Sequence, residues 1–300
     1  MPPNWIDLAF RDSTHPRQRC HTASIEFTWA NGGLVIQTVE GNEPAGNESA
    51  GNEPAGSGAG EGALLTVVFA PGQRPDIGVL RELAAAPDAM PRFSLSHVPP
   101  AEQGWAELLA MGLTFDCTGL APAAAAAMPS EGALLGLERA PQGEAIGLAP
   151  GPHLADAAGM VPVLRILAGI GARLAQLPGV QAVCWNRARC WMPAEYFCKV
   201  VGSWLAGGPF PALGLTSLER EGDGAIVSVG LDLLIGQELQ FATTEKFAAP
   251  DIARIAVRLI HALIDTGPLV GPHDLIGPDG ITLQVQPVAH GRRLNVSVRK

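Results

Sequence analysis

Charge is scarce in this 300-residue sequence. Asp, Glu, Lys and Arg make up 16% of it, and 20 basic side chains face 29 acidic ones, for a net charge of −9. A phosphate backbone needs a broad basic surface, so nucleic acid is not expected as a partner. Long apolar runs are also missing. Gly, Pro or a charge breaks each one before the roughly 20 residues of a membrane span, and residues 1–7 lack the charged-then-apolar layout of a signal peptide. The expectation is a cytoplasmic protein with no membrane contact. Five cysteines, an odd number, argue against a disulfide framework and for reduced thiols.

Compact metal and phosphate motifs are lacking too. Cys184, Cys190 and Cys198 have gaps too wide for a zinc knuckle, and the seven histidines form no His-x-x-x-His pair. Gly169-Ile-Gly171 lies within a helical pattern. Gly230 to Gly236 has neither the Lys-Ser/Thr tail of a P-loop nor a dinucleotide turn. No cofactor and no metal is expected.

What is present is apolar material, 47% of the chain, enough for a large core. Alternation predicts strands at 24–30 and 34–39 around Asn31-Gly32, a strong hairpin signal. A pentapeptide repeat of the Gly-Asn-Glu-Pro-Ala type then fills 41–61. It reads as a disordered low-complexity loop, since one carboxylate per five residues makes a poor calcium cage. Strands are expected at 63–69, 92–97 and 113–117, with helices at 76–86 and 101–111. The Ala/Pro-rich stretch 118–131 reads as a boundary. Beyond it come strands at 133–137 and 144–148, a helix over 156–176, strands at 212–219, 225–231 and 237–243, a helix at 251–264 and a closing hairpin over 281–298.

The fold class expected is therefore α+β: two sheet-plus-helix units, mostly antiparallel, with helices packed on one face. A lead-in covers 1–22, an N-terminal domain 23–120 and a C-terminal domain 132–300. The similar order of elements in the two halves allows a degenerate duplication.

Between 180 and 205 the sequence concentrates three cysteines, three tryptophans and the only tyrosine. Val180 to Trp185 reads as a strand, Asn186 to Arg189 as a turn, and Pro193 as the first turn of a helix with Phe197, Val200, Val201 and Trp204 on one face. The order of elements from 144 to 260 resembles the bacterial family catalogued as domain of unknown function 4261. The residues that carry the resemblance are Ala182-Val183-Cys184-Trp185, the Pro193-Ala-Glu195 helix start and the run Val229 to Leu239. The family pattern in that run is Gly-Leu, an apolar residue, Gly, then Glu-Leu-Glu. Here Gly236 is displaced by one place and Gln240 stands for the last Glu. The resemblance implies an α+β fold and no particular activity.

Cys190, between Arg187, Arg189 and a helix start, is the candidate nucleophile, because positive charge lowers a thiol pKa. Glu238, which interrupts an apolar strand run, is the other candidate catalytic residue. Trp185, Arg187, Arg189, Trp191 and Tyr196 form a candidate interaction surface, aromatic residues beside arginines being favoured at interfaces. Glu219, Glu221 and Asp223 read as solvated turn charges, and the two Gly-Pro-His segments at 151–153 and 271–273 as one loop type. The reading favoured by these features is a non-enzymatic protein that works by protein–protein contact. The alternatives are a hydrolase or transferase using Cys190 or Glu238, and a small-molecule binding module in a groove between the halves.

Overall fold

The computed structural model describes residues 25–30, 33–38, 62–87, 90–242, 249–276 and 280–298. The lead-in 1–22, the repeat loop 41–61 and the Asn31-Gly32 turn lie outside these residues.

Strands β1 (Ile25–Ala30), β2 (Gly33–Thr38), β3 (Leu65–Phe69), β4 (Ser94–His97), β5 (Trp105–Ala110), β6 (Leu113–Thr118), β7 (Ala133–Leu135), β8 (Glu144–Pro150), β9 (Val180–Trp185) and β10 (Cys190–Met192) form one ten-stranded sheet, ordered β2-β1-β7-β10-β9-β3-β8-β6-β5-β4. Only the β1–β7 and β7–β10 pairs are parallel. Every residue of the central strand β3 is buried, Thr66 included, as its mostly apolar run suggests for a strand covered on both faces. On one face lie helices α1 (Ile77–Ala85), α2 (Val161–Leu174) and α3 (Ala194–Leu205). Leu65, Val67, Phe69, Ile146 and Trp185 share their core with Leu164, Leu167, Ile170, Phe197 and Val201.

Asp76 caps α1 by accepting the Val79 N–H at 3.0 Å. Pro162, which weakened the sequence expectation for α2, falls in its first turn, where no N–H is missed. The glycines of α2 admit close neighbours: a Cβ on Gly169 would stand 2.5 Å from Pro91, and one on Gly171 2.7 Å from Leu65. Arg173 of α2 is buried and donates to the Pro91 and Leu83 carbonyls, with its guanidinium 4.5 Å from the Phe93 ring.

Three expectations change here. Residues 101–111 are not a helix: one 3-10 turn over Ala101–Gln103 ends at Gly104, and β5 then alternates, burying Ala106, Leu108 and Ala110. Gly151-Pro-His opens a 3-10 helix, while His273 begins a strand, so the two segments do not share a loop type. Residues 118–131 are not a domain boundary, because β8 pairs with both β3 and β6 across that supposed limit. The segment instead runs along β8, with Ala126 bonded to the Ala145 carbonyl at 2.9 Å. Arg74 pins it, reaching the Gly119 and Ala123 carbonyls at 2.5 and 2.9 Å and Glu144 at 3.0 Å. A second buried cluster, Val68, Leu134, Ala145, Ala182, Cys184 and Trp191, packs with Ala126 and Leu137.

The chain divides into its two sheets after α3. Strands β11 (Ser217–Arg220), β12 (Ile226–Val229), β13 (Glu238–Phe241), β14 (His273–Ile276), β15 (Thr282–Val288) and β16 (Arg293–Val298) form a six-stranded sheet, ordered β11-β12-β13-β16-β15-β14, with only β13–β16 parallel. Residues 212–215, expected as strand, make a single irregular helical turn before β11. Helix α4 (Ala249–Thr266) buries Ile252, Ile255, Ala256, Leu259 and Leu263 in the core that holds Leu239, Phe241, Val285 and Leu294. The α+β class stands, with two mostly antiparallel sheets and helices against them. The first sheet draws its strands from both halves.

Candidate functional site

The hairpin β9–β10 places Cys190 opposite Trp185 and Trp191 opposite Cys184. Successive side chains in a strand alternate faces, so the aromatic and sulfur content of this hairpin is divided between the sheet's two sides. Trp185 and Cys190 join the main core, while Trp191 and Cys184 join the second cluster. Trp185 is 1% exposed and Trp191 3%, which corrects the expectation of an aromatic contact surface. Tyr196 is half-buried against the same core. Its hydroxyl donates to the Leu213 carbonyl at 3.4 Å, and burial raises its pKa.

Cys190 is 2% exposed, and burial together with nearby Glu219 pushes its thiol up to about 12. The two arginines expected to lower that pKa are turned away from it toward acids. Arg189, in the left-handed conformation at the end of the Asn186–Ala188 turn, meets Glu219 at 2.5 Å. Arg187 grips Asp232 with two nitrogens, Nε to Oδ1 at 3.2 Å and the second guanidinium nitrogen to Oδ2. Cys190 is therefore a buried neutral thiol and not an activated nucleophile.

These pairs join the two sheets. Asp232 starts a one-turn helix, Asp232–Ile235, between β12 and β13, and Glu219 lies on β11. Ser217 on β11 donates to the Ala188 carbonyl at 2.7 Å. The turn at 186–189 is thus an internal seam, and Arg187 and Arg189 act as its ties. Glu219, Glu221 and Asp223, expected to be merely solvated, also have partners. Glu221 takes both terminal nitrogens of Arg293, at 2.9 and 3.1 Å, and Asp223 accepts the Ala225 N–H at 2.9 Å.

Glu238 stands at the same seam. One oxygen accepts the N–H groups of Gly230 at 2.7 Å and Asp232 at 3.1 Å, and the other accepts the Ser228 hydroxyl. Ser228 in turn accepts the Leu239 N–H at 2.7 Å. Burial pushes the Glu238 carboxyl up to about 7 against the pull of these donors, and Asp232 beside it acts in the same direction. This carboxylate closes the Gly230–Ile235 turn onto β13. Ser217, Ser228 and Asp232 were not marked in the sequence because their partners lie on other elements, ten or more residues away.

Among the described residues, no group of three or more His, Cys, Asp and Glu side chains could hold a metal ion, and no helix is long and apolar enough to cross a membrane. Comparison with family models, with curated proteins and with solved structures finds no match to this chain.

Proposed function

We propose that this chain is a non-enzymatic protein of the bacterial cytoplasm that works by contact with another protein, as an accessory, regulatory or toxin-neutralising factor, and that it is related to the family of domain of unknown function 4261. The observation that carries the contact reading is the edge of the second sheet. Among the described residues, strand β14 pairs with β15 on one side and ends the sheet on the other. Beside that edge Ile276 is 59% exposed and Val270 98%. Strand β14 is short, carries Asp274 and follows Pro272, features that guard an edge against unselective pairing, so the reading calls for a matched extended segment of another chain that adds to the sheet through main-chain hydrogen bonds. The occupant proposed is such a segment, with an apolar side chain set against Ile276.

The other readings have less support. Cys190 is sealed and protonated, and both oxygens of Glu238 are already engaged. A groove between halves has no frame when the halves share a sheet.

A photo-crosslinking residue at His273, introduced in the native host, tests the reading. It is expected to capture a partner from the wild-type chain and to lose it when Ile276→Lys and Val270→Glu are combined, with the thermal unfolding midpoint unchanged. Equal capture by the doubly substituted chain would overturn the proposal.

A further inference from the structure

Strands β5 and β6 bury one set of side chains and leave the alternate set outside. Ala106, Leu108 and Ala110 of β5 and Phe115 and Cys117 of β6 point into the main core. Trp105, Glu107 and Leu109 on β5, and Thr114, Asp116 and Thr118 on β6, face the other way, and each is exposed in part. Trp105 and Leu109 are members of neither buried cluster among the described residues, and Leu109 is 38% exposed. Register sets Glu107 directly opposite Asp116. Like charges opposite one another on two strands destabilise a sheet. No ion pair among the described residues includes either acid. The Ser96 hydroxyl, which donates to Glu107 at 2.6 Å, brings no charge. His97, with its ring 5.4 Å from that of Trp105, and His153, near enough to Asp116 to favour its charged form, flank the two acids without forming an ion pair with them.

We propose that this outward face of β5 and β6 is a docking surface for an arginine on an extended segment of a partner protein. The guanidinium is held by the Glu107 and Asp116 carboxylates and lies along Trp105, and an apolar residue of the same segment rests on Leu109. Three features select that occupant. Two carboxylates a cross-strand step apart, with Cβ atoms about 5 Å from each other, suit a planar fork of N–H donors that a single carboxylate does not exhaust. Trp105 lies two residues from Glu107 on the same face, about 7 Å along the strand, and a guanidinium stacks on an aromatic ring more readily than an ammonium does. Leu109 lies one such step beyond Glu107 on the other side, which is the spacing of alternate side chains in an extended chain. The incoming cation turns an unfavourable register into a favourable one. The chain's excess of acidic side chains, 29 against 20 basic, attracts a basic partner from a distance. This surface lies on the first sheet and does not depend on the β14 reading.

The test uses the full chain, isotopically labelled, at neutral pH and about 0.15 M salt. The probe is the peptide acetyl-Ser-Arg-Ser-Leu-amide, with a control in which citrulline replaces arginine, keeping its shape and removing its charge. The Trp105 indole N–H and the Glu107 and Asp116 amides are expected to shift saturably with the arginine peptide. Affinity should fall about tenfold or more for the citrulline peptide, and by as much when Glu107→Gln and Asp116→Asn are combined. Four results would each overturn the proposal: no saturable shift at Trp105, equal binding of the citrulline peptide, equal binding by the doubly substituted chain, or shifts centred on residues 273–276, which would favour the β14 edge instead. If the doubly substituted chain does not fold, Trp105→Leu takes its place, with an expected loss of about threefold, and unchanged affinity overturns the proposal.

Discussion

Gly230 faces the backbone of Ala188 across the seam: a Cβ at position 230 would stand 3.0 Å from both the Cα and the N of Ala188, and the φ of Gly230 is +92°. Two costs therefore coincide for any other residue, the strain of a left-handed backbone and a clash with a main chain that cannot rotate away. Gly230→Ala is expected to destabilise the protein by about 2 kcal/mol or more, measured by denaturant unfolding. Gly222, which has open space around it and no such φ, is the control position.

Arg74 offers a test of how the segment after β6 is held. Its two bonds to the Gly119 and Ala123 carbonyls come from a nearly buried side chain. Arg74→Met should cost about 1 to 3 kcal/mol, chiefly by stranding those carbonyls, and should raise protease cleavage within 119–131. The Arg74 hydrogen bond and the Gly72 N–H hold Glu144 below the usual carboxylate range, so its contribution is present above that range and fades as pH falls through its lowered pKa.

Cys190 should resist alkylation. A thiol held near 12 and almost without exposure is not expected to react with iodoacetamide at neutral pH in the folded chain. In denaturant it should react like any free cysteine. Peptide-resolved mass spectrometry distinguishes the two states, and rapid native labelling would refute the assignment.

Glu238 predicts an unusual pH dependence. Its folded pKa, about 7, lies above the ordinary 4.5, so its contribution to stability is complete below the ordinary value and is lost as pH rises through the folded one. Glu238→Gln keeps a neutral side chain throughout. It should therefore become more stable than the wild type by up to about 3 kcal/mol above neutrality, with the advantage vanishing in acid. Denaturation midpoints at both ends of that range check the sign.

Periodicity carried much of the architecture. The alternation of β6 and the helical spacing of Ile252, Ile255, Leu259 and Leu263 were read correctly because each pattern is confined to a few neighbouring residues. Residues 101–111 misled because Ala and Leu suit both periods, and only the burial of Ala106, Leu108 and Ala110 selects the strand. Trp185 and Trp191 were taken as exposed because chain composition does not report what covers a sheet.

The sequence by itself determined that the chain is an acidic α+β protein, and where most strands and helices begin and end, because propensity and hydrophobic period are local properties. Tertiary structure alone decided which strands became neighbours and which charges met. Arg187 and Asp232 are 45 residues apart, and no local rule reaches across that interval. Their pairing follows from the docking of two sheets, which is driven by the apolar surface buried around them.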